Sequence, residues 1–145
     1  MDFYDLRIGD WVLFDGKPQE VVGLHILGGE IVSTLRPFAS GSEIHPAEEL
    51  ESIPLTEAAL DKLDFGLLPG DNVVRRFLYE KDNVRITVVH HPDDIFELHC
   101  SCGRNVTDLT KIIYSFADIQ HVLADAGIRL DYTFIAAFHE SQYRV

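Results

Sequence analysis

The densest run of potentially reactive side chains lies between residues 90 and 102: His90, His91, His99, Cys100 and Cys102. Imidazole nitrogens and thiolates are zinc donors, and a structural site needs four of them at tetrahedral distance. Spacing decides whether they meet. If these segments are strands, successive side chains alternate between faces. Cys100 and Cys102 then share a face with Phe96 and Leu98, whereas His99 joins Glu97 and Ser101 on the other. His90 follows Ile86 and Val88, while His91 follows Arg85 and Thr87, so the adjacent histidines split between faces. The donors are dispersed, and neither a metal nor another cofactor is expected. A His91–His99 cross-strand pair remains, which is too few ligands for a closed site. The cysteines read as small apolar core filling, reduced rather than bridged, because strand geometry holds such a pair about 6.5 Å apart, near the limit for a disulfide.

Other chemistries find less support. No Gly-x-Ser-x-Gly elbow and no Gly-x-x-x-x-Gly-Lys phosphate loop occurs. His121 falls on the helix flank with Ala117 and Asp125, away from Phe116 and Ile119, and reads as a boundary or surface residue. Trp11 is the single tryptophan, and its strand alternates Trp11 and Leu13 against Val12 and Phe14, apolar on both faces. One face is core; the other is covered by the rest of the chain or by a partner. In the partner reading Trp11 and Phe38 are aromatic anchors. Residues 43–64 carry seven carboxylates, Glu48, Glu49 and Glu51 among them, against one lysine. Such a run forms a solvated acidic face or recognises a basic surface.

These residues need a scaffold, and the punctuation of the sequence supplies one. Trp11–Phe14 is followed by Asp15-Gly16, a strong hairpin signal, and then by a return strand to Ile26. Gly28-Gly29 marks a second turn before Glu30–Leu35. Arg36–Glu49, with two prolines and a glycine, reads as an excursion loop, and Leu50–Ile53 as a short closing strand. Four short antiparallel strands in about 50 residues suit a small, strongly bent barrel. Thr56 is an N-cap for a short helix, with Leu55 stapling onto Leu60 and Gly66 ending it. Val73–Glu80, Val84–His91 and Ile95–Cys102 form a three-stranded meander, followed by a polar connection over 105–110. Ser115 and Asp118 form a capping-box pair for an amphipathic helix over Ser115–Ala126, closed by Gly127. Tyr132–Phe138 is ambiguous: its aromatics favour strand and Ala136-Ala137 favours helix.

The 145-residue length suits one domain or two very small ones. With 24 acidic and 12 basic side chains the net charge is −12, which argues against nucleic-acid binding, since phosphates must be neutralised by Lys and Arg. Residues 1–70 hold 13 acidic and 4 basic residues, so the charge concentrates in the first half. No apolar run approaches the ~18 residues of a membrane span, and no secretory signal is visible at Met1–Asp5, so a cytoplasmic location is expected.

Two resemblances add to this. Ile8-Gly9-Asp10-Trp11-Val12, Gly16 and Val21-Val22-Gly23 resemble the opening of SH3-like and KOW-like barrels. KOW-type modules often touch nucleic acid, but this segment lacks their basic surface. Arg7–Val12, Gly16-Lys17-Pro18, Ile53-Pro54-Leu55-Thr56 and Ile119-Gln120-His121 with Gly127 are similar to a group of small uncharacterised proteins of Bacteroidetes-type bacteria and their phages. That resemblance spans residues 7–128 and implies a fold but no activity.

The expectation is an α+β protein. An SH3-like small barrel over residues 1–54 precedes an α+β part over 55–145, which holds an antiparallel meander with one short and one longer amphipathic helix. The function expected is non-enzymatic protein binding in a phage or mobile-element setting, through Trp11, Phe38, Glu48, Glu49 and Glu51, to a basic protein surface. The alternatives are an acidic inhibitor mimicking nucleic acid on a host protein and a small metal-dependent enzyme using His90, His91 and His99.

Overall fold

The computed structural model describes residues 6–36, 44–46, 50–70, 73–81, 83–102 and 109–136. The chain is mixed α and β, its strands paired antiparallel in two five-stranded sheets. It divides into two compact units, one of Met1–Ile53 with Asp131–Val145, the other of Pro54–Leu130. The residues after Leu130 group with the first unit rather than with the second.

In the first unit, β1 (Trp11–Phe14), β2 (Lys17–Leu27), β3 (Glu30–Arg36), β4 (Ile44–Pro46) and β5 (Glu51–Ser52) are ordered β4-β3-β2-β1-β5. Both hairpin turns are two-residue loops with positive φ at both positions, 51° and 73° at Asp15-Gly16, 60° and 83° at Gly28-Gly29. That backbone matches the right-handed twist of the flanking strands, which is why Asp-Gly and Gly-Gly stand there. The Arg7–Asp10 motif is a turn. The Asp10 carboxylate accepts the Arg7 N–H at 2.8 Å, and Asp10 N–H donates to the Arg7 carbonyl at 3.1 Å. Gly9 and Asp10 then join β2 through backbone bonds to Val21. Leu6, Val12, Val21, Leu35 and Leu50 form the core cluster, with Phe14, Leu24 and Ile31 against it.

The expected barrel is not closed. Among the described residues no pairing joins β4 to β5, the two edges of the sheet. They are three and two residues long, too short to supply the staggered ladder that closure needs.

In the second unit, α1 (Glu57–Lys62), β6 (Gly66–Leu67), β7 (Arg75–Lys81), β8 (Val84–His90), β9 (Phe96–Cys102), β10 (Leu109–Ile113) and α2 (Phe116–Asp125) follow in the chain, and the sheet order is β10-β9-β8-β7-β6. The meander gains a strand on each side: β6 is a two-residue bridge to β7, and β10 begins inside the stretch read as a connection. Thr56 caps α1, its hydroxyl accepting from Ala59 N–H at 3.2 Å. Asp64, at φ 67°, turns the chain out of α1, and Gly66 opens β6 instead. Ser115 and Asp118 form a reciprocal capping box on α2. At the other end Gly127 N–H bonds Ala124 C=O and Ile128 N–H bonds Leu123 C=O, a Schellman closure requiring the positive φ of Gly127.

One face of this sheet carries Phe77, Tyr79, Ile86, Val88, Phe96, Leu98 and Cys100, all buried. The opposite face carries Arg76, Arg85, His99, Thr110 and Ile112, all exposed. Buried positions circle α2 from Phe116 to Leu123, so His121 is 8% exposed rather than at the surface. Residues 134–136, inside the ambiguous tail, are helical. Among the described residues no helix is long and apolar enough to cross a membrane.

Candidate functional site

Register and alternation build the site at the end of β8. His90 lies directly opposite Phe96 in the β8–β9 ladder, on the buried row. The two rings stack with centroids 4.1 Å apart and planes 3° from parallel. The connection is a three-residue loop. Asp94 N–H donates to His91 C=O at 3.0 Å, and His91 N–H donates to Ile95 C=O at 2.9 Å. Pro92 presets the first turn position, and Asp94 follows in the left-handed region at φ 64°. This geometry returns the Asp94 carboxylate to His90, where Nε2–H donates to Oδ1 at 2.7 Å. From α1, Glu57 Oε2 accepts from His90 Nδ1–H at 2.5 Å, while its Oε1 accepts from Arg75 Nε–H of β7 at 2.9 Å.

His90 is thus held by carboxylates on both ring nitrogens. Burial alone pushes its pKa down. The hydrogen bonds and charges of Glu57 and Asp94 outweigh burial, and the net shift is upward from 6.5. With both nitrogens engaged and one ring face on Phe96, His90 is a positioning group. It ties α1, β7, β8 and the β8–β9 turn to one point.

His91 emerges on the opposite face. Its Nε2–H donates to Glu97 Oε2 at 3.1 Å. Glu97 Oε1 lies 3.6 Å from His99 Nε2, and His99 Nδ1 is 3.2 Å from Thr110 Oγ1 on β10. The two histidines of the expected cross-strand pair are therefore joined through Glu97. Beside them is an open depression of about 570 Å³ lined by His91, Pro92, Asp93, Ile95, Glu97 and Ile112. Ile95 is 39% and Ile112 41% exposed. Tyr114, just beyond β10, is 78% exposed. Among the described residues Glu97 pairs only with the two histidines, and Asp93 forms no ion pair.

The residues expected to bind a partner lie elsewhere. Trp11 is 4% exposed, buried with Val12, so it offers no aromatic surface to a partner. Both faces of β1 are apolar because both are covered to different extents, Leu13 and Phe14 being half-buried. Glu51 is exposed on β5. Phe38, Glu48 and Glu49 fall outside the described residues. Glu57, in the acidic run, is drawn into the pairs with Arg75 and His90, whereas Asp61 and Asp64 are exposed. Among the described residues no three His, Cys, Asp or Glu side chains converge as a metal would require. Sequence reasoning missed Glu57, Arg75 and Asp94. Asp94 could have been found, because a His-Pro-Asp-Asp turn folds its last carboxylate back over the strand end. Glu57 carries no such signal, 33 residues away on another element. Comparison with protein-family models, curated proteins and solved structures returned no match to this chain.

Proposed function

We propose that the protein is a non-enzymatic protein-binding module. Its docking face is the depression beside the β8–β9 turn, and its partner presents an aliphatic side chain next to a lysine or arginine. The carrying observation is the lining of that depression: two exposed isoleucines beside two carboxylates, Asp93 and Glu97, that pair with no lysine or arginine among the described residues. An aliphatic side chain seated on Ile95 and Ile112 removes apolar surface from water at ~25 cal/mol per Å². A neighbouring cation meets Asp93 and Glu97 in the field of a chain with net charge −12. The phage or mobile-element setting rests on the sequence resemblance alone.

The metal-enzyme alternative needs His90, His91 and His99 together, and His90 stands on the face opposite the other two, consumed by Glu57 and Asp94. The nucleic-acid mimic rests on net charge and requires a partner whose binding collapses with salt.

The test is selection from a displayed random peptide library against the full chain. Enriched peptides should pair Lys or Arg with a neighbouring Ile, Leu or Val. They should lose binding to both Ile112→Glu and Glu97→Gln. Equal enrichment on wild type and Ile112→Glu would remove the depression as the docking face.

A further inference from the structure

We infer that a proton on His90 sets the shape of the docking depression by anchoring Asp94 and, through it, the β8–β9 turn. A carboxylate only accepts, and a neutral imidazole has a single N–H. His90 faces a carboxylate at each nitrogen, so both hydrogen bonds exist together only in the imidazolium. When the proton leaves, one of the two carboxylates loses its donor and faces a nitrogen lone pair.

The surroundings decide which. Every charged group facing the ring comes from a known element: Glu57 from α1, with Arg75 of β7 behind it, and Asp94 from the turn. Glu57 is 27% exposed and is held in place by Arg75. The Asp94 side chain is 82% exposed, so water replaces the imidazole at small cost. The remaining proton therefore stays on Nδ1 toward Glu57, and Asp94 is the carboxylate released. Asp94 also sits in the left-handed region, which disfavours an L residue and lasts only where surroundings enforce it. Its side-chain bond to His90 is part of that enforcement. The turn it holds provides His91, Pro92, Asp93 and Ile95, four of the six residues lining the depression. The upward displacement of the His90 pKa is what an imidazolium favoured by two carboxylates should show.

As regulation of docking, this rests on the reading above; as a property of the turn, it does not, and the experiment separates the two. Amide-exchange protection of His91 and Asp94, whose N–H groups close the turn, is measured by NMR on the full chain from about pH 5.5 to about pH 9, alongside the His90 ring resonance. Protection, corrected for the intrinsic rate, should fall about fivefold with the midpoint of His90, as loss of one exposed hydrogen bond predicts. Asp94→Asn supplies the decisive comparison. An asparagine accepts from an N–H and its amide donates to a bare ring nitrogen, so this variant should keep the turn closed on both sides of the His90 titration. Its ring midpoint should also move down, one charge having gone. Constant protection in wild type while His90 titrates, or an unchanged pH response in Asp94→Asn, would overturn the inference. A selected peptide that binds independently of pH while the turn responds would overturn the regulation and leave the turn mechanism standing.

Discussion

Glu57→Gln tests the hub at its most loaded point. The carboxylate accepts from Arg75 on one oxygen and from the His90 imidazolium on the other. A glutamine has one accepting oxygen and an NH₂ that confronts the second donor. Hydrogen bonds to charged groups contribute about 1.5–3 kcal/mol. With Glu57 27% and His90 20% exposed, solvent screening is moderate, and about 2 kcal/mol is appropriate for that bond. The Arg75 pair, more exposed at 39%, adds about 0.5 kcal/mol. The folded pKa of His90 is raised above 6.5. Its contribution is therefore complete below about pH 6.5 and is lost as pH rises through the raised folded value. In Glu57→Gln the strongest of the raising influences is gone, and the ring becomes neutral at a lower pH than in wild type. The variant should be about 2.5 kcal/mol less stable than wild type near pH 6, narrowing to about 1 kcal/mol near pH 9. Urea unfolding at fixed ionic strength, with the slope checked for constancy, measures both differences. A penalty independent of pH, or one that grows toward alkaline pH, would refute the imidazolium bridge.

Trp11→Ala should cost about 3–5 kcal/mol and broaden the whole NMR spectrum of the first unit, since a residue 4% exposed is part of a core; a folded variant of near wild-type melting temperature would contradict that. Asp118→Ala removes acceptance from the Tyr114 and Ser115 N–H groups and half of the capping box. A loss of about 1–2 kcal/mol in thermal or urea unfolding is expected, with Asp118→Glu recovering part of it. Gln19 is 5% exposed and its Oε1 has no hydrogen-bond partner among the described residues. Gln19→Met should raise stability by about 1 kcal/mol, because an orphaned buried acceptor is replaced by a flexible apolar chain of similar shape; a destabilised variant would reveal a bond to Gln19.

Local chemistry was legible in the sequence wherever a short stretch had to satisfy its own backbone. Asp15-Gly16 and Gly28-Gly29 demanded hairpins because φ above zero is easiest for such residues. Thr56, Ser115 with Asp118, and Gly127 marked helix ends through the hydrogen bonds they make there. Alternation placed His90 with the buried row and His91 with the solvent row, and it kept Cys100 beside Phe96 and Leu98. The tertiary structure decided what local pattern cannot express. Closure of the first sheet depends on long-range pairing of its edges, and β4 and β5 are too short to provide it. The burial of Trp11 and His121 depends on what covers a face, and periodicity identifies the face without naming the cover. The imidazolium hub needs Glu57, Arg75, His90 and Asp94, drawn from a helix, two strands and a turn. Its physical basis is the matching of donors to acceptors across the fold, a quantity fixed by packing. Turns, caps and the two faces of each strand follow from local chemistry along the chain; which carboxylates those faces bring to a histidine is fixed only when the chain is folded.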